Sequence, residues 1–288
     1  MSRKKLLNLI LKITLSSAAL YYVFSNINLA KTWEKLISAD YIWLLVALIF
    51  FIASQIVASC RLLSLFKLLP IHITFIQNLR LYWLGLFYNL FLPGGVGGDG
   101  FKVYLIHKHE NNNLRQTIGA ILSDRVSGLA VIVMMLAVLV AFIEIQIPLR
   151  QWMWITVPAI VVAYYLFLHY FNRKLKPGFT KTLLWSLFSQ SLQMIAAVMI
   201  LKSLGVDNSS GYDDYLFLFF LSAIAGSVPI TLGGIGAREM VFMWGATQLG
   251  VNANTAVTLS LLFYVTSAIT ALPGIIYTIH PGNILSTQ

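Results

Sequence analysis

The chain has 288 residues, of which 58% are hydrophobic and only 10% charged, with a formal net charge of +10. A soluble domain carries about a quarter charged residues, so this composition, with a mean hydropathy of +0.80, excludes one and marks a polytopic membrane protein. The basic residues sit in short connections between apolar runs, as the positive-inside rule produces, and that distribution excludes nucleic acid as the partner.

A helix needs about 20 apolar residues to cross a bilayer, and the spans are expected at 6–25, 42–60, 126–146, 152–171, 182–203 and 255–279. The first, within SRKKLLNLILKITLSSAALYYVF, has the basic start of a signal peptide but no small-x-small cleavage site, and is expected to be retained. Cys60 is the single cysteine, which excludes an internal disulfide and a zinc cluster of cysteines. Arg61, Lys67 and Arg80 place the 61–80 connection in the cytoplasm. Arg3, Lys4 and Lys5 do the same for the N-terminus, and Arg173, Lys174, Lys176 and Lys181 for 172–181. The 204–213 connection, with Asp207 and Asp213 and no Lys or Arg, is expected outside.

Two apolar regions are interrupted. One runs from about 76 to 92, meets PGGVGGDG, and continues to about 121. The other runs from 214 to 228, meets SVPITLGGIGARE, and continues to about 249. Each must begin and end on the same face, the first inside and the second outside. Both are therefore expected to be re-entrant helical hairpins with Gly-rich tips.

The whole chain, 1–288, then reads as one integral membrane domain of about six full spans and two hairpins. It divides into inverted repeats, approximately 1–146 and 152–288, with both termini cytoplasmic. The tips rhyme, Pro93-Gly94-Gly95-Val96-Gly97 against Leu232-Gly233-Gly234-Ile235-Gly236. Paired Gly/Pro-interrupted segments at matching positions point to a transporter's binding site.

Gly95, Gly97 and Gly100 also spell the dinucleotide fingerprint, but that motif needs a β-strand before it and a βαβ unit around it; neither is expected here. The tip glycines, with Gly98, instead admit positive φ and close backbone approach, and helix N-termini at the tips would attract phosphate or carboxylate. Close helix packing alone would also use such glycines.

The charges beside the tips are sharper: Asp99 and Lys102 at the first, Asp124 and Arg125 in ILSDRVSGL, and Arg238 and Glu239 in GIGAREM. A charge at the bilayer centre costs ~2.5–3.5 kcal/mol on insertion scales, so such residues face inward with partners, unless the two adjacent pairs merely neutralise each other at the interface. His107 and His109 in HKHE suit a solvated face better than a metal site. No catalytic constellation, metal site or cofactor motif stands out, and no enzymatic role is expected.

NLFLPGGVGGDGFKVYLI, AILSDRVSGL and SVPITLGGIGAREMVF, in this order and spacing, closely resemble the flippase-like membrane domain of lysylphosphatidylglycerol synthases. The resemblance covers nearly the whole chain and implies lipid translocation between leaflets, with the motif acids and arginine falling on Asp99, Arg125 and Glu239. It differs from the full-length synthases in having no soluble aminoacyl-transferase domain, so aminoacylation is not expected of it. The expected function is a flippase of the cytoplasmic (inner) membrane. Its partner would be the bilayer and a lipid with an anionic or zwitterionic head: an aminoacyl-phospholipid, another phospholipid, or a polyprenyl phosphate. Gly94, Gly95, Gly97, Gly98, Asp99, Lys102, Arg125, Gly233, Gly234, Gly236, Arg238 and Glu239 would form the pocket, with tip amides and Arg125 on the phosphate. The alternatives are an integral-membrane enzyme acting on a lipid head group, or a non-transporting membrane partner of a lipid or glycan synthase. Homo-oligomerisation is also left open.

Overall fold

The computed structural model describes residues 14, 17, 20–23, 25–91, 97–110, 113–143, 153–206, 211–228, 234, 236–279 and 282–285, and among these every regular element is helical. In order they are α1 (Leu29–Ile37), α2 (Tyr41–Phe66), α3 (Phe75–Phe91), α4 (Gly97–Glu110), α5 (Leu114–Leu139) and α6 (Met153–Phe171). A 3-10 turn (Arg173–Gly178) leads to α7 (Phe179–Ser203), α8 (Tyr212–Ser227), α9 (Ala237–Leu249) and α10 (Ala253–Ala271), then the short α11 (Gly274–Ile279) and α12 (Gly282–Leu285). Five of the described helical stretches are long and apolar enough to cross a membrane: Tyr41–Phe66, Leu114–Leu139, Trp154–Phe171, Arg173–Ser203 and Ala253–Ala271. The chain is thus an all-α, multi-pass membrane protein. Most of the expected first span, and Gly94, Gly95 and Gly233 of the tips, lie outside the described residues.

Local chemistry sets the helix starts. Free N–H groups at a helix N-terminus need acceptors, and side chains supply them. Asp40 accepts from the Ile42 amide at 2.8 Å to open α2. Asn113 accepts from Arg115 at 3.0 Å to open α5, and Asn252 from Thr255 at 3.0 Å to open α10.

The Asn113 cap changes one expectation. The span expected at 126–146 begins at Leu114, and residues 114–121 belong to it rather than to the first hairpin. Asp124 and Arg125 therefore stand well inside a 26-residue helix, not at its mouth. The stretch expected as one span over 255–279 also breaks, at Pro273 between α10 and α11, because proline brings no N–H to the preceding turn. The Trp83 indole N–H donates to the Thr270 carbonyl at 2.9 Å and satisfies one acceptor at that helix end.

The most extensive helix–helix contact in the bundle is that of α2 with α7, which pack along each other. Both helices carry small buried residues, Ser54, Ala58 and Ser59 on α2 and Ser189, Ala196 and Ala197 on α7. The Ser189 hydroxyl donates to the Ser54 carbonyl at 3.0 Å, a close approach that small side chains permit. Around the seam the packing is reciprocal. Helix α3 pairs with α4, and α8 with α9, as the arms of two hairpins. Helix α5 packs on α8, while α10 packs on α3. Large apolar side chains such as Ile42, Trp154 and Phe188 are exposed on the outer faces, as expected where lipid is the solvent.

Candidate functional site

Glycines fix the geometry of both hairpins, and in the same way. In the first, Gly85 of α3 lies against Gly98 of α4. A Cβ on Gly98 would collide with the Gly85 carbonyl, and a Cβ on Gly85 would collide with the stem of Lys102. In the second, Gly226 of α8 lies against Gly234, where a Cβ would come within 3.1 Å of the Gly226 Cα. A Cβ on Gly226 would collide with the stem of Arg238. Each hairpin thus lays one basic side chain across a glycine of its first arm. The spatial equivalents are Gly98 with Gly234 and Lys102 with Arg238. The tip rhyme instead pairs Gly95 with Gly234, three residues away.

Positive φ is used at the second tip, where Gly234 and Gly236 both have φ of 86°. At the first, Gly97 and Gly98 are already helical, and Gly98 serves close approach.

Two of the described tip amides, those of Gly98 and Gly236, are not open for phosphate. The Gly98 N–H donates to Asn89 Oδ1 at 2.9 Å. The Gly236 N–H donates to Glu239 Oε2 at 2.7 Å, and the other carboxylate oxygen of Glu239 accepts from the Ser260 hydroxyl at 2.9 Å. Glu239 is therefore the cap of α9, buried and tied to α10. It does not line the cavity described below, contrary to the expectation that Asp99, Arg125 and Glu239 face one space.

Asp99 is also buried and takes two cations. Lys102 Nζ reaches one carboxylate oxygen at 3.2 Å and lies 4.6 Å from the centre of the Tyr82 ring. Arg125 Nε donates to the other oxygen. Asp99 thereby ties the first hairpin to α5 and sets the direction of the Arg125 side chain, which remains 36% exposed.

Asp124, next in the chain to Arg125, points elsewhere. It takes Arg61 of α2 in a bidentate pair, Nε to Oδ1 at 2.6 Å and Nη2 to Oδ2 at 3.1 Å. Arg61 Nη1 also donates to the Ser186 hydroxyl of α7 at 3.0 Å, which in turn donates to Ser127 at 3.1 Å. The pairing of Asp124 with Arg125 at an interface is thus overturned. The placing of Arg61 in a cytoplasmic loop is overturned too: it is buried inside α2. The run LLSLF that follows Arg61 was the available signal, since it continues the apolar helix.

Between these layers lies a cavity of about 260 Å³. Its polar lining is Gln55 (α2), Asn89 (α3), Arg125 (α5), Gln193 (α7), Arg238 (α9) and Ser267 (α10), among apolar residues that include Phe51, Leu86 and Phe263. Both hairpins and both central helices contribute. Among the described residues, Arg238 Nε is buried without a hydrogen-bond partner. The sequence pattern picked out Arg125 and Arg238 but not the amides Gln55, Asn89 and Gln193. Of the expected site residues, Asp99, Lys102 and Gly98 stand one layer behind the cavity, and Gly97 is exposed at the start of α4.

A buried donor without a partner is costly, and two guanidinium groups lining one cavity invite an anion with several acceptor oxygens. No group of three or more metal-ligating side chains occurs among the described residues.

Comparison with known proteins agrees with this lipid-facing architecture. The chain matches the family described as the lysylphosphatidylglycerol synthase TM region over residues 9–181 and 170–274. It is 25% identical over 271 residues to the phosphatidylglycerol lysyltransferase of Staphylococcus aureus (strain COL), covering 88% of this chain and 32% of that protein. It is 28% identical over 263 residues to the protein of the same name from Staphylococcus haemolyticus (strain JCSC1435), covering 86% of this chain and 30% of that protein. The chain spans about a third of the length of these curated relatives.

Proposed function

The chain belongs to the lysylphosphatidylglycerol synthase TM-region family, and from that premise we propose that it moves a phosphate-headed membrane lipid between the leaflets of the cytoplasmic (inner) membrane. The observation that carries this is the cavity that joins Arg125 of the first half to Arg238 of the second. It lies inside a bundle whose outer faces are apolar.

The head group would leave the leaflet for this cavity, where the arginines replace part of its hydration, while the acyl chains stay in the lipid outside. Asp99 orients Arg125 through Nε and offsets its charge. The amides of Gln55 and Gln193 supply neutral donors and acceptors from the two central helices. The α2–α7 seam is the natural axis for alternating access: two halves of inverted topology, rocking about it, would open the cavity first to one leaflet and then to the other. The re-entrant hairpins and the inverted repeat belong to this proposal, and the reciprocal packing of α5 on α8 and α10 on α3 supports them. No covalent chemistry is assigned to the cavity.

A second function has one observation in its favour. The matched relatives are named phosphatidylglycerol lysyltransferases, which favours a non-transporting membrane partner of a lipid or glycan synthase as the alternative. Purified protein in vesicles containing fluorescent phosphatidylglycerol, with no other protein present, separates the two. Faster leaflet exchange than in empty vesicles is expected, and exchange that appears only when a synthase is added would favour the partner role.

A further inference from the structure

Helix α1 lends no side chain to the cavity, yet its nine residues, LAKTWEKLI, are sorted by chemistry onto three flanks. Residues four apart share a flank of a helix. Leu29, Trp33 and Ile37 form the first, and they are 55%, 65% and 57% exposed. Thr32 and Leu36 form the second: Thr32 is buried, and Leu36 packs on the core cluster that holds Phe219 and Leu259. Lys31 and Glu34, both exposed, lie on the third.

A nine-residue helix is about 14 Å long and cannot cross a hydrocarbon core of about 30 Å. It lies at the level where α2 begins, and two features mark that level as the membrane–water boundary. Lys202 Nζ stands 4.8 Å from the centre of the Trp43 ring, and tryptophan gathers at such boundaries. Tyr41, Ile42 and Leu45, all exposed, continue the apolar flank of α1 onto α2, which is long and apolar enough to span.

The inner flank is tied to α10. The Asn28 N–H donates to Asn254 Oδ1 at 3.0 Å, and α1 packs on α10. Just before α1, Val23 is buried against Met243 of α9 and Val257 of α10. Helix α10 in turn carries Ser260, the partner of Glu239, and Phe263 and Ser267 of the cavity.

We infer that α1 is an interfacial helix that moors the start of α10 to the membrane surface. Its Leu29–Trp33–Ile37 flank enters the boundary between head groups and acyl chains, and its Lys31–Glu34 flank stays in water. Lipid is the occupant of the apolar flank because that flank runs on into the lipid-facing side of α2, and because a charged flank turns away from it, the arrangement of a helix lying in the interface. The inference does not depend on whether the protein moves lipid.

The test uses spin labels on single cysteines in a Cys60→Ala background, in vesicles of phosphatidylglycerol and phosphatidylcholine. Collision with oxygen, which concentrates in lipid, is compared with collision with a nickel chelate, which stays in water. Labels at Leu29 and Ile37 should favour oxygen, and labels at Lys31 and Glu34 the chelate. Protection of Leu29 and Ile37 from both would assign the flank to a protein partner or a second copy, and chelate access there would place it in water; either result overturns the inference. Hydrogen exchange reads the mooring. Leu29→Ser, Trp33→Ser and Ile37→Ser combined should speed exchange of the Thr255–Thr258 amides by about tenfold and leave α7 unchanged, whereas Trp33→Phe, which keeps the flank apolar, should change neither. No acceleration in the serine variant, equal acceleration in α7, or the same acceleration in Trp33→Phe overturns the mooring.

Discussion

Arg61 and Asp124 show how a charge survives inside this bundle. Each alone would be an unpaired buried ion; together they form a bidentate pair backed by Ser186. Arg61→Ala should therefore destabilise the protein by about 3–5 kcal/mol, because it strands the Asp124 carboxylate. Arg61→Met combined with Asp124→Leu should recover most of that loss, since a buried pair replaced by apolar residues is often neutral. Thermal unfolding in detergent reads both. Glu239 tests a different role. As the α9 cap it needs an acceptor for the Gly236 amide and a hydrogen-bond partner for the Ser260 hydroxyl, both of which a glutamine amide supplies, so Glu239→Gln should keep lipid movement within about threefold while Glu239→Ala loses stability by about 1 kcal/mol. Strong loss of movement in the glutamine variant at full stability would return Glu239 to a counter-charge role. The sequence alone singled out Asp99, Arg125, Arg238 and Glu239, because ionisable residues beside apolar runs are rare. It could not show which way each points. Neighbours in the chain, Asp124 and Arg125, project to different partners, and Arg61 finds its partner 63 residues away.

At the scale of elements, the hairpins depend on glycine for contact as much as for φ. Gly98→Ala should reduce folded yield and melting temperature, because its Cβ meets the Gly85 backbone. Gly100→Ala, two residues on and open on that side, should be neutral or stabilising by up to about 1 kcal/mol through helix propensity. Equal behaviour of the two variants would remove the close approach of α3 and α4. Helix positions were largely legible, since apolar runs bounded by Asn, Gly and Pro fix them. The main difference, the start of α5, has a physical cause: Asp124 and Arg125 sit inside the helix because Arg61 and Asp99 pair with them. The correct tip register was hidden too. It depends on which glycine meets which backbone, and the rhyming residues do not reveal that.

Over the whole molecule, α2 and α7 make the most extensive helix contact, α5 packs on α8 and α10 on α3, and in the proposed inverted repeat each half would lend its last long helix to the other's hairpin. An inverted repeat predicts that the far ends of α4 and the start of α8 lie on opposite sides of the membrane. Single cysteines at His109 and Asp213, in a Cys60→Ala background, should label from opposite sides in right-side-out and inverted vesicles; labelling from one side would refute the inversion. The central claim is that Arg125 and Arg238 together hold the phosphate of a moving lipid. The most direct measurement is the rate of fluorescent phosphatidylglycerol exchange between leaflets in proteoliposomes of the unaltered protein, Arg125→Ala, Arg238→Ala and the exposed control Arg115→Ala. The account predicts at least a tenfold loss in each of the first two variants at equal reconstitution, partial recovery with Arg125→Lys because lysine keeps the charge without the planar fork, and an unchanged control. Undiminished exchange in both Arg125→Ala and Arg238→Ala would contradict it.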